Sequence, residues 1–357
     1  MSRKIFDKIQ SAALSNDPLY SVDTLPRWLS KLDDSDSLLM ANSEVEVVSL
    51  GANVFIASIT SQDVIFYCFC GLPVPDELPA GLEGVEATPG LFGSVICEAD
   101  VSSLATAAEA NNIMNGRHGK IHGYEGHSVE EVARLFPALF FAKRTAESAD
   151  IYLSNLERIA GSYISRGYPG RPLDLGSTLQ AKFVEMFESG SDTVPYHLVL
   201  QSILSYRWSD MYLDLYRCLE QLYSAPRLMD LATRIRHEGT LAELASILED
   251  TLTWRPKEEE ALASILNKIT PGTRLAILQV FTEAMEVLPE SSERKCAKHI
   301  YRLRNEHVHY RPAMKAGQRD SSAWARIVFV MCDAVLELYD RLGVGFLNTI
   351  RPAEARA

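Results

Sequence analysis

The chain has 357 residues, 47% hydrophobic and 23% charged, and its 47 acidic against 35 basic side chains give a net charge of −12. That composition excludes an intrinsically disordered chain, and the acidic balance argues against a protein that coats nucleic acid over its whole surface. No apolar run reaches the ~20 residues of a membrane span, and Met1 to Lys8 offer neither an apolar core nor a small-residue cleavage site, so neither a membrane segment nor a secretory signal is expected. The six cysteines are scattered. Cys68 and Cys70 share one face of a strand-like run, too close along it for a disulfide and not spaced as a CxxC metal knuckle. Reduced thiols in the cytoplasm are the expectation.

Taken in chain order, residues 3–15 carry helical spacing in Ile5, Ile9, Ala12 and Ala13. Residues 44–50 and 53–70 are rich in β-branched and aromatic side chains, with Ser61-Gln62-Asp63 as a turn, which predicts a hairpin or meander. A Pro- and Gly-rich loop runs from Gly71 to Gly93, and Phe92 to Ala99 reads as a further strand. The pattern turns helical from Ser102, broken by Asn115-Gly116 and a His/Gly-rich loop reaching Gly126. Ser128-Val-Glu-Glu131 is a capping-box signature, and the chain beyond it reads as almost entirely helical. Helices are predicted near 128–145, 147–164, 177–188, 194–206, 208–224, 226–237, 240–252, 257–269, 272–288, 291–309 and 321–342. The Tyr-Pro-Gly-Arg-Pro sequence within Arg166 to Gly176 marks the boundary. The expected fold is therefore α+β: a small mixed α/β region over 1–165, then a large all-helical domain over 177–345.

Against the acidic whole, residues 291–320 hold eight basic and three acidic side chains. A local basic patch on an acidic protein suits a phosphate-bearing ligand at one place; a solvated helix face is the plainer alternative. Within it runs Tyr301-Arg302-Leu303-Arg304-Asn305-Glu306-His307-Val308-His309-Tyr310-Arg311-Pro312. An arginine followed five positions later by a histidine is a weak signal, since chance alone gives about half a match in a chain with this many of each. Four such pairs occur here: Arg117/His122, Arg294/His299, Arg302/His307 and Arg304/His309. Only the last has an amide, Asn305, directly after the arginine, on the penultimate long helix and ahead of an amphipathic one.

Ile300-Tyr301, Arg304-Asn305 and Val308-His309 followed by Arg311 are similar to the IYxxRNxxVHxR form of the Apea-like branch of HEPN ribonucleases. Tyr212 to Leu222 resembles the first core helix of that branch. The resemblance covers roughly residues 190–345. It departs over 226–290, which hold more helix than a minimal four-helix core needs. It implies a metal-independent endoribonuclease without cofactors, acting on RNA (single-stranded or tRNA) as a homodimer paired through its C-terminal helices. It further implies an effector of anti-phage, abortive-infection defence, set off by a phage-derived trigger or partner protein, with the N-terminal region sensing that trigger or restraining the nuclease. Arg304, His309 and Asn305 would be catalytic, and Lys298, Arg302, Tyr310 and Arg311 would bind substrate. Glu220 would either partner Arg304 or be a surface residue of the first core helix.

The chemistry suits those residue types. A histidine with an ordinary pKa near ~6.5 can take the proton of a ribose 2′-hydroxyl. A guanidinium donates to phosphate oxygens and stabilises the charge that develops there, and an asparagine can orient either group. The products expected by this route carry 2′,3′-cyclic phosphate and 5′-hydroxyl ends. Geometry adds a constraint, because residues five apart on an ideal helix diverge by about 140°. One arginine and its histidine can face one phosphate if the helix ends near His309, which can then swing because Pro312 restricts Arg311, or if two copies build the site together, and both can hold. The alternatives are a plain capped and solvated helix end and a non-catalytic helical dimerisation or interaction module. A zinc site from His118, His122, His127 and Glu125 matches no helix-borne HExxH spacing, and no metal is expected. The chain contains neither GxxxxGK[ST] nor GxGxxG.

Overall fold

A computed structural model describes residues 2–21, 27–30, 32–61, 64–115, 125–145, 151–253, 257–282, 286–308 and 319–347. The fold is α+β, an antiparallel sheet followed by a helical region. Two compact units divide between Leu156 and Glu157, ahead of the Arg166–Gly176 segment.

In the first unit, α1 (Ser2–Asn16), α2 (Asp34–Asn42), α3 (Pro89–Glu98), α4 (Ala107–Asn115) and α5 (Val129–Ala133) accompany strands β1 (Glu44–Gly51), β2 (Val54–Ser61), β3 (Val64–Cys70), β4 (Leu82–Val85) and β5 (Leu139–Arg144). The strand order is β1-β2-β3-β5-β4, every neighbouring pair antiparallel. Alternation along a strand puts Phe55, Ala57 and Ile59 on one face. The register sets Ala57 opposite Cys68 and Cys68 opposite Phe141. This face packs on Ile5, Phe6 and Ile9 of α1 and on Leu91, Phe92, Val95 and Ile96 of α3, forming one buried core. Both thiols of the Cys68/Cys70 pair are free and buried there.

The loop expected from Gly71 to Gly93 holds β4 and the start of α3, and three further expectations are corrected. Residues 92–99 do not form a strand. Thr88 accepts a hydrogen bond from the Leu91 amide and Pro89 opens α3, so the β-branched run is a helix. Its apolar periodicity is hidden because residues from Gly90 to Ile96 are all buried. The helix expected over 128–145 is also short. The capping box at Ser128 and Glu131 is present, but the helix stops at Ala133. Pro137 follows, and a proline cannot continue an α-helix. Leu139 to Arg144 instead form β5, an inner strand between β3 and β4. Of the helix expected over 147–164, residues 147–150 lie outside the described residues; Ile151–Ser154 form a 3₁₀ turn and helix begins as α6 (Leu156–Ser165).

The second unit is helical: α7 (Gly176–Ser189), α8 (Tyr196–Ile203), α9 (Trp208–Glu220), α10 (Ala225–Ile235), α11 (Leu241–Leu252), α12 (Glu258–Leu266), α13 (Pro271–Thr282), α14 (Ser292–Val308), α15 (Ser321–Leu338) and a last short helix α16 (Val344–Leu347) after a π-turn at Tyr339–Gly343. Helix α15 packs on α7, α9 and α13, and α14 on α12 and α13. Tyr212, Leu215 and Leu219 of α9 are buried, as are Val328, Met331 and Val335 of α15. The Tyr212 hydroxyl donates to the Ile300 carbonyl at 2.7 Å, tying α9 to α14. The aromatic side chains of α9 are thus core rather than a stacking platform, while Tyr206 just before it stays exposed. Helices α10 to α13 fill the stretch between α9 and α14. Among the described residues no helix is long and apolar enough to cross a membrane.

Candidate functional site

Helix α14 is anchored by Cys296, Ile300 and Leu303, all buried at i, i+4 and i+7. With that stripe fixed inward, Lys298 and Arg302 fall on the exposed side, and Arg302 pairs with Glu306 at 3.6 Å. Arg304 turns the other way, toward α9 and α12. Its side chain is 17% exposed and lies 3.8 Å from Glu220 of α9 and 3.8 Å from Glu258 of α12. It donates to the Asn305 side-chain oxygen at 3.0 Å and sits 5.8 Å from the Tyr216 ring centre. Of the two places left open for Glu220, it lies beside Arg304, and Asn305 is the neighbour that accepts from that guanidinium. Lys298 and Arg302 are not gathered around Arg304. His309, Tyr310 and Arg311 lie outside the described residues.

Charge-assisted hydrogen bonds run near ~2.8 Å. At 3.8 Å both carboxylates are therefore electrostatic neighbours of Arg304 rather than hydrogen-bond acceptors. Among the described residues Asn305 accepts the guanidinium's one hydrogen bond, leaving most of its donors uncommitted. Burial pushes the Glu220 carboxyl above its ordinary pKa, Arg304 opposes that, and Glu258 adds to it. The Tyr216 hydroxyl accepts from Tyr223 at 2.7 Å, and burial drives both phenols well above their ordinary range, so they stay protonated beside the cluster.

Glu258 was not legible as part of this site. Lys257-Glu258-Glu259-Glu260 reads as an acidic first helical turn, favoured there by the helix dipole. Nothing in that pattern singles out one glutamate, and only the packing of α12 on α14 aims Glu258 at Arg304.

Two of the other Arg/His pairs have packing roles for their histidines. His299 stacks on Phe281 at 5.6 Å, and His307 packs on Trp324 at 5.3 Å. Arg117 and His122 lie outside the described residues. So do His118 and His122 of the loop weighed for zinc; His127 is buried, bridges in backbone to Leu29, and sets its Nδ1 3.3 Å from Glu131. Among the described residues no group of three or more His, Cys, Asp or Glu is placed to hold a metal ion.

His307 supplies a pH prediction. Its Nε2 is buried and has no hydrogen-bond partner among the described residues. Burial first, then the Arg319 guanidinium, hold its pKa below the ordinary 6.5, with Glu306 and Asp210 opposing. A depressed folded-state pKa means that the folded chain prefers the neutral ring. The associated stability is full above about pH 6.5 and is lost as pH falls through the folded value. His307→Gln is expected to flatten that loss. Denaturant midpoints from about pH 7 down to about pH 5 check it, and parallel curves for variant and wild type would count against it.

Comparison with protein-family models, curated proteins and solved structures finds no match to this chain.

Proposed function

We propose that the helical unit is a metal-independent endoribonuclease of the HEPN type. The observation that carries this reading is the state of Arg304: a guanidinium largely removed from water, oriented by Asn305, with most donors uncommitted among the described residues, in the last turns of α14. In this reading Arg304 clamps the scissile phosphate and stabilises the charge that builds on it. His309 accepts the 2′-hydroxyl proton as the 2′-oxygen attacks phosphorus, the bond from phosphorus to the 5′-oxygen breaks, and the leaving 5′-oxygen takes a proton from water. The active species is a homodimer, because residues five apart along one ideal helix diverge by about 140° and a second copy supplies the missing group. Lys298 and Arg302, on the exposed side of α14, meet the RNA backbone outside the reacting centre. An anti-phage role, with a phage-derived trigger acting through the N-terminal unit, is the biological setting that the resemblance suggests.

A second reading is favoured by one specific observation. Glu220 and Glu258 flank Arg304, so the three form a half-buried ion cluster that pins α14 to α9 and α12. In that reading the unit is a non-catalytic interaction module. Purified protein incubated with total RNA and excess chelator separates the two. The expected result is cleavage that survives chelation and leaves 2′,3′-cyclic phosphate and 5′-hydroxyl ends. Intact RNA under all conditions, or strict dependence on added magnesium or manganese, contradicts the ribonuclease reading.

A further inference from the structure

Two carboxylates share one guanidinium. Arg217, the other cation that bears on Glu220, is committed to Asp214 at 2.6 Å. With all groups ionised, the described residues in immediate reach of Arg304 carry two negative charges against its one positive. A phosphodiester brought to Arg304 would meet two carboxylates already in its place, and like charges at that range oppose entry strongly.

The two carboxylates are not held alike. Glu220 is the last residue of α9, the helix whose Tyr212, Tyr216 and Leu219 are buried, and its side chain is 34% exposed. Glu258 is the first residue of α12 and is 43% exposed, so its side chain has an open route to solvent. Its Oε2 is nevertheless turned inward and buried, and makes no hydrogen bond among the described residues. Arg304 at 3.8 Å is the group that balances this buried oxygen.

We propose that Glu258 is an internal stand-in for the phosphate: its carboxylate occupies the anion position at Arg304, and a substrate phosphodiester binds by displacing it. This rests on the reading of Arg304 as a phosphate clamp. Helix α12, part of the stretch between α9 and α14, thereby acts as a built-in restraint on the site, released when Glu258 swings out. The ligand class is a phosphodiester with its backbone accessible, and the exchange is carboxylate for phosphate at one guanidinium.

The test uses the full chain and a short fluorescent 2′-O-methyl RNA, which binds but cannot be cut because its nucleophile is blocked. Glu258→Gln keeps the shape and removes the charge. It is expected to bind this RNA about tenfold more tightly in fluorescence anisotropy, the scale of deleting one like charge at the binding position. Glu259→Gln, an exposed neighbour, removes the same net charge and is expected to change affinity by less than about twofold. Adding Arg304→Ala to Glu258→Gln should erase the gain. Glu258→Asp, which keeps the charge but draws the carboxylate back by one methylene, is expected to fall between wild type and Glu258→Gln and stands in if the glutamine variant does not fold.

Equal affinity in folded Glu258→Gln and wild type overturns the proposal, as does an equal gain in Glu259→Gln. Cleavage of unmodified RNA separates this from the parent reading. If Glu258→Gln binds more tightly through Arg304 but neither protein cuts RNA, the anion exchange stands and the ribonuclease reading falls. If wild type cuts and Glu258→Gln neither binds better nor cuts faster, the ribonuclease reading stands and the restraint falls.

Discussion

Arg304→Ala and His309→Ala are each expected to lower RNA cleavage by about a thousandfold or more while leaving a folded chain, a loss of the size that follows removal of a charge-stabilising donor or a general base. For Arg304 the argument starts from its surroundings. The guanidinium sits between Glu220 and Glu258 and is oriented by Asn305, so alanine removes the one group placed there that can accept negative charge on phosphate. Stability should suffer little, about 1 kcal/mol, because both carboxylates keep access to water once the arginine is gone. Arg294→Ala, from a chance Arg/His pair on the far turns of α14, is the control and should retain most activity. Mixing the two inactive variants should restore part of the cleavage if one site takes its arginine and histidine from different copies. Wild-type cleavage rates in both single variants would remove these residues from the chemistry.

The largest expected effect on stability lies at Arg158. Its side chain is only 3% exposed, yet every direction it points in is occupied. Nε donates to the Phe187 carbonyl at 2.7 Å, and Nη2 to the carbonyls of Glu188 and Gly190 at 3.2 and 2.9 Å. Nη1 meets the Asp192 carboxylate, and the guanidinium carbon lies 4.6 Å from the Tyr196 ring centre. These carbonyls belong to the C-terminal end of α7, where a helix leaves its last acceptors without internal partners. Arg158→Ala strands them in a buried place and opens a void beside Tyr196. We expect a loss of about 3 kcal/mol, read from denaturant unfolding, with Arg158→Lys recovering only part because one ammonium cannot reach all these acceptors. A loss below about 1 kcal/mol would show that water takes over the carbonyls without difficulty.

Much of the fold was legible from local pattern. Strands β1 to β3 were announced by β-branched and aromatic runs, and most helices of the second unit by their apolar period and caps. In the structure the buried stripe of Cys296, Ile300 and Leu303 sets which way α14 faces. The same rules failed at α3 and β5, for one physical reason. Both are inner elements covered on several sides, so their side chains lose the polar-apolar alternation that tells helix from strand, and the deciding signals were Thr88-Pro89 and Pro137.

The sequence by itself determined that Arg304 and Asn305 stand together on one helix, with His309 five positions past the arginine, because those relations depend only on spacing along the chain. It also determined the local basic charge of residues 291–320. The tertiary structure alone decided that Glu258 reaches Arg304 and that Arg158 caps α7. Both contacts join residues far apart in sequence through the packing of one helix on another. An acidic first turn or a lone arginine looks the same in a one-dimensional pattern whether it faces water or a buried partner. Only burial, which strips away the competing water, turns such a side chain into a specific electrostatic element.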